Sequence, residues 1–117
     1  MKRIMIFVAV LALLSSPVAN ADTAMISAKV KRVLLTGNGQ YGGCMVLLTT
    51  SVNASLPNCP GSWVSLSCTG DFSPKDSAYR MLDVAQMAKA LNSTIYVFVD
   101  DTKKHNGYCY SNRIDIL

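Results

Sequence analysis

The stretch SPKDSAYRMLDVAQMAKALN, Ser73 to Asn92, is the clearest helical signal in this sequence, and its place among strands decides the fold. Ser73 reads as an N-cap whose hydroxyl accepts from an exposed backbone N–H. Pro74 reads as the first helical residue, where a missing N–H costs nothing, and Asp76 faces the positive end of the helix dipole. Ala78, Met81, Leu82, Ala85, Ala88 and Leu91 recur at three and four residues. That spacing predicts a buried stripe on a helix running to about Leu91 and stopping at Asn92.

Three strands are expected before the helix. The first is Met25 to Thr36, with Val30, Val33, Leu34 and Leu35 as its apolar residues and Lys29, Lys31 and Arg32 as its wet ones. Gly37-Asn38-Gly39 breaks it. The second runs from about Tyr41 to Thr50, and its run Cys44-Met45-Val46-Leu47-Leu48 fits a strand covered on both faces. Ser51 to Gly61 is a loop rich in Asn, Pro and Gly. The third strand, Ser62 to Cys68, alternates Trp63, Ser65 and Ser67 against Val64, Leu66 and Cys68. Two strands follow the helix. Thr94 to Val99 is β-branched or aromatic, and Tyr108 to Ile116 alternates Ile114 and Ile116 with Arg113 and Asp115. Between them, polar Asp100 to Gly107 ends in Asn106-Gly107, a favoured hairpin dipeptide. The order β-β-β-α-β-β predicts a mainly β domain with one helix, an OB-fold-like five-stranded barrel. A sandwich-like α+β domain is the competing architecture.

The N-terminus reads as a secretory signal peptide, residues 1–21. Met1-Lys2-Arg3 precedes the apolar run Ile4 to Leu14, which is too short to span a bilayer, and Ala19-Asn20-Ala21 supplies small residues at the cut. The mature chain is then one small domain, residues 22–117, secreted or periplasmic. Losing Lys2 and Arg3 brings the formal charge from +4 to about +2, too little to argue for nucleic acid. No second run is long enough for a membrane-spanning helix. The chain has no Glu and one His, so carboxylate chemistry rests on Asp, and a multi-His zinc site is excluded. No cofactor and no metal is expected.

All four cysteines lie in the mature part: Cys44, Cys59, Cys68 and Cys109. An even count in a small exported domain predicts two disulfides. Of the three possible connectivities, one is favoured by a hairpin of the second and third strands. Cys44 then faces Cys68, Val46 faces Leu66 and Leu48 faces Val64, which leaves Cys59 for Cys109.

Several motifs carry a sharper and a blander reading. Gly37 to Gly42 matches G-x-G-x-x-G, but a strand rather than a helix follows, so it reads as a glycine-rich turn. His105 is a candidate general base with Asp100 or Asp101 near it in sequence, yet no serine elbow is visible, and a histidine in a charged hairpin reads as surface. Asp100-Asp101 beside Lys103 and Lys104 reads as a solvated turn rather than a calcium loop. Asn53-Ala54-Ser55 and Asn92-Ser93-Thr94 are glycosylation sequons by pattern, silent in a bacterial source. On the outer helix face, Tyr79, Arg80, Asp83, Gln86, Met87 and Ala90 read equally as ordinary surface or as a partner surface.

An exported, disulfide-bonded, OB-like domain of this size resembles the binding (B) subunits of pentameric-B bacterial toxins, of the subtilase-cytotoxin and typhoid-toxin type. Met25-Ile26-Ser27-Ala28-Lys29-Val30, ending at Thr36-Gly37, looks like that family's first strand, and Cys44 and Cys68 match cysteines in its second and third. The resemblance implies a homopentamer that binds sialylated host glycans and carries a toxin A subunit, with the helices around a central pore. It places the glycan-contacting serine at Ser27, with Lys29 adding charge. The family's tyrosine near the end of the fourth strand is replaced here by Phe98-Val99-Asp100, and Tyr108 or Tyr96 stands in for it. The family's C-terminal cysteine pair is absent. The expected protein is therefore a non-enzymatic binding subunit with Ser27, Lys29 and Tyr108 as pocket residues. The alternatives are a stand-alone periplasmic OB-fold protein of stress or inhibitor type, binding a protein or small ligand, and a small hydrolase built on His105 and Asp101.

Overall fold

The computed structural model describes residues 22–117; the expected signal peptide lies outside the described residues. The chain forms strands β1 (Thr23–Ala28), β2 (Val30–Leu35), β3 (Cys44–Leu48) and β4 (Trp63–Ser65), helix α1 (Lys75–Leu91), and strands β5 (Ile95–His105) and β6 (Tyr108–Ile116). They make one six-stranded sheet in the order β1-β5-β6-β4-β3-β2. The domain is mainly β with one helix, as expected. The strand count and the closed barrel are not: among the described residues there are six strands, and no ladder joins β1 to β2.

The extra strand arises at Lys29. The expected first strand is broken there, and its halves take different partners. Ser27 in β1 lies opposite Tyr96 in β5, whereas Val33 in β2 lies opposite Val46 in β3. Thr49 bridges the break, accepting from the Lys29 N–H at its Oγ1 (2.9 Å) and donating its own N–H to the Lys29 carbonyl (3.0 Å). A bulge between Val30 and Arg32 then re-aims β2.

One face of the sheet forms the core. Ile26, Ala28 and Val30 meet Val46, Leu48, Val64, Leu66, Ile95, Val97 and Val99 there, and Ala78, Leu82, Ala85 and Ala88 close it from the helix. Leu91, expected in that stripe, is exposed. The helix starts one residue later than expected. Pro74 (φ −54°, ψ 138°) is the N-cap, and the Ser73 hydroxyl is buried without a hydrogen-bond partner among the described residues. Asn92 ends the helix in the left-handed region (φ 51°), with its N–H reaching the Ala88 and Lys89 carbonyls.

Both expected disulfides form, Cys44–Cys68 and Cys59–Cys109, with Cα separations of 5.6 and 5.5 Å. The hairpin behind the first is shifted by two residues, so Val46 lies opposite Val64 rather than Leu66. A shift of two keeps every side chain on its expected face. Cys68 is then brought back to Cys44 past Ser67, whose φ is 60°. β5 is longer than expected and continues through Asp100 to His105, and only Asn106-Gly107 forms the turn, both at positive φ. Among the described residues no helix is long and apolar enough to cross a membrane.

Candidate functional site

The outer face of β2, β3 and β4 is more apolar than a wet face requires. Strand register sets Leu34 beside Met45 and Ser65, and Arg32 beside Leu47 and Trp63. Two loops close one end of this face. Tyr41 comes from the turn Gln40–Gly43, held at φ 56°, and Tyr108 begins β6 just after the Asn106-Gly107 turn. Leu34, Tyr41, Met45, Trp63 and Tyr108 line a half-open cleft of about 120 Å³. The Tyr41 and Tyr108 rings meet edge to face at 5.9 Å. The Arg32 guanidinium sits over the Trp63 ring, 5.6 Å from its centroid, and makes no ion pair among the described residues. The cleft therefore has aromatic walls, one of which, Trp63, carries the Arg32 guanidinium over its ring.

Beneath it lies a polar cluster. His105 is 8% exposed, not the surface residue expected. Its Nδ1 is 3.0 Å from the Ser65 hydroxyl and its Nε2 is 3.2 Å from Asp71 Oδ2. Thr69 Oγ1 donates to the same carboxylate oxygen at 2.8 Å. That bond first, and the His105 contact second, hold the Asp71 carboxyl below its ordinary range against a smaller opposing effect of desolvation. An ionised carboxylate only accepts, so Nε2 carries the proton of the neutral ring and Nδ1 accepts from Ser65. Phe72 covers the ring, its centroid 4.5 Å away.

These are the residue types of a hydrolytic triad, but Ser65 is fully buried and has no path to a substrate. The acid beside His105 is Asp71, not Asp100 or Asp101. Asp101 accepts from the Asp22 N–H, and Asp100 accepts from the Thr102 N–H and hydroxyl. Gly39 and Gly42 of the glycine-rich turn have positive φ (78° and 69°) and shape a loop before a strand.

The expected pocket residues do not converge. Tyr108 lines the cleft. Ser27 is exposed on β1 beside Tyr96, which in turn lies beside Asp115. Tyr108 is seven residues back along β6 from Asp115, roughly 20 Å at about 3.3 Å per residue. Lys29 occupies the break after β1, its backbone tied to Thr49. On the Ser27 side, Phe98, Asn112 and Arg113 line a more open depression of about 370 Å³, where Arg113 is engaged by Asp115 at 2.7 and 2.9 Å. Sequence reasoning missed Tyr41, Trp63 and Arg32 as site residues. For Arg32 and Trp63 the signal available was their cationic and aromatic character at strand positions that alternation puts on the outer face, whereas Tyr41 sits on the turn Gln40–Gly43 and carried no such signal. No family model matches the chain, and neither a curated protein nor a solved structure does.

Proposed function

We propose that this chain is an exported, non-enzymatic binding module whose ligand is a sialylated glycan. The observation that carries the reading is the cleft of Tyr41, Trp63 and Tyr108, with the Arg32 guanidinium stacked on its Trp63 wall. Aromatic faces suit the C–H-rich faces of a sugar ring, and a guanidinium suits its carboxylate. The cleft, about 120 Å³ and half open, holds one face of a terminal sugar while the rest of that sugar stands in solvent.

The architecture supports the same reading. β1 and β2 form the two edges of the sheet and are halves of one bent segment, so the strand order suits an open, OB-like sheet whose first strand serves both edges. In OB-folds, oligosaccharides and oligonucleotides bind on the face of strands two and three, between the first loop and the last. Here those are β3 and β4, the loop bearing Tyr41 and the hairpin leading to Tyr108. Two disulfides suit export. In the fullest form of the proposal the chain is the B subunit of a bacterial toxin, a homopentamer that gains avidity from repeated weak sites and carries an A subunit. The second reading is a stand-alone periplasmic protein that uses the same cleft.

Trp63 is the only tryptophan, so its fluorescence reports on the cleft directly. Titration with sialyllactose, against lactose as control, is expected to give a saturable response that Tyr108→Ala abolishes and Ser27→Ala leaves intact. The reverse pattern argues against the cleft as the site, and no fluorescence response to either sugar, with no heat of binding by calorimetry, rejects the glycan reading. Light scattering on the oxidised protein decides between the subunit and the stand-alone forms, because a strict monomer is incompatible with a pentameric toxin.

A further inference from the structure

The walls of the cleft come from separate parts of the chain. Tyr41 stands on a loop, Leu34, Met45 and Trp63 on three strands, and Tyr108 at the start of another. Binding requires side chains held to within about 0.5 Å by the residues behind them. One residue touches supports of three of these walls. The His105 ring lies against the backbone of Gly42, next to Tyr41. The side chain of Asn106, next to His105, accepts the Tyr41 N–H at 2.8 Å. His105 Nδ1 meets Ser65, the cross-strand partner of Met45. His105 itself is the cross-strand partner of Tyr108.

We propose that His105 is the positioning residue of the aromatic cleft, setting the spacing of Tyr41, Met45 and Tyr108 through Gly42, Ser65 and the hairpin, with Asp71 fixing the ring. Asp71 accepts from Nε2–H and so selects the tautomer whose Nδ1 accepts a hydrogen bond from the Ser65 hydroxyl. Phe72 and Gly42 pack against the ring and restrict its movement. The ring orientation is thereby over-determined, and the cleft walls inherit it. His105 touches no ligand in this arrangement and transfers no proton. The inference rests on the cleft being the binding site, but its geometry is measurable without a ligand.

The test compares His105→Ala, His105→Asn and Asp71→Asn with the parent protein, using acrylamide quenching of Trp63 in the free protein and titration with sialyllactose. Asp71 is 60% exposed, so its variant retains the fold whatever happens to the others. His105→Ala is expected to raise Trp63 quenching and to weaken sialyllactose about tenfold, the order of one lost hydrogen-bonded contact. His105→Asn keeps a partner for Ser65 and is expected to recover most of both. Asp71→Asn is expected to give a partial loss and a change in the ring-nitrogen chemical shifts of His105. Parental quenching in a folded His105→Ala protein, or His105→Asn as impaired as the alanine variant, overturns the proposal. If the quenching changes appear but even the parent binds no sialyllactose, the positioning role stands and the glycan reading fails.

Discussion

The backbone of Gly42 lies so close to the His105 ring that a β-carbon at residue 42 would stand 2.7 Å from Nδ1 and 2.8 Å from Cγ. Gly42 also holds φ at 69°, where a side chain is strained. Gly42→Ala therefore combines a clash with a backbone penalty, and a loss of about 1–3 kcal/mol is expected. Urea denaturation measures it, and Trp63 quenching should change with it. A neutral Gly42→Ala would show that the ring is free to move away.

Ser73 separates the local reading of the helix start from the folded one. An N-cap serine loses about 1 kcal/mol when replaced by alanine. Here the Ser73 hydroxyl is buried without a partner among the described residues. Ser73→Ala then removes a desolvated polar group rather than a cap, and is expected to be neutral or stabilising in urea or thermal melts.

The two disulfides should contribute unequally. Their sequence separations are 24 for Cys44–Cys68 and 50 for Cys59–Cys109. Loop-closure entropy scales these to about 3.5 and about 4 kcal/mol. Paired Cys→Ser variants are expected to be destabilised in that order, and reduction of both should abolish cooperative unfolding, since so small a core has little stability to lose. Equal melting curves with and without reductant would contradict this.

Asp71 sets an acid limit. Its carboxyl titrates below the ordinary 3.8 because Thr69 donates to it first, and His105 and Lys75 add to that. A lowered folded value means that the stabilisation is complete above 3.8 and is lost as pH falls through the folded value beneath it. The parent is expected to lose stability more steeply with acid in that window than Asp71→Asn. Thr69→Val should move the Asp71 titration, followed by NMR, back toward 3.8.

Much of the fold is legible in the residues. The 3.6-residue spacing of Ala78, Leu82, Ala85 and Ala88 marks the helix, and Asn92 marks its end, because both signals are local. The face of each side chain in β3 and β4 is legible too, since a register error of two residues leaves the pleat in phase. The break at Lys29 is less visible. Its trace is the three-residue step from Val30 to Val33, where strict alternation fails at the bulge. The burial of His105 is not legible for a different reason. Its neighbours in sequence are Lys104 and Asn106, whereas the groups that bury and bind it are Ser65, Asp71, Phe72 and Gly42.

The sequence by itself determined the helix, the predominance of strands, the even cysteine count that implies two disulfides and the facing of the side chains in β3 and β4, because propensity, alternation and cysteine parity act over a few residues at a time. Only the tertiary structure decided that Tyr41, Trp63 and Tyr108 stand together while Ser27 stands apart, and that a histidine from a charged hairpin lies beneath them. Those are long-range pairings, fixed by register and by the bend at Lys29. A register is chosen by the sum of contacts over the whole sheet, which no single segment carries.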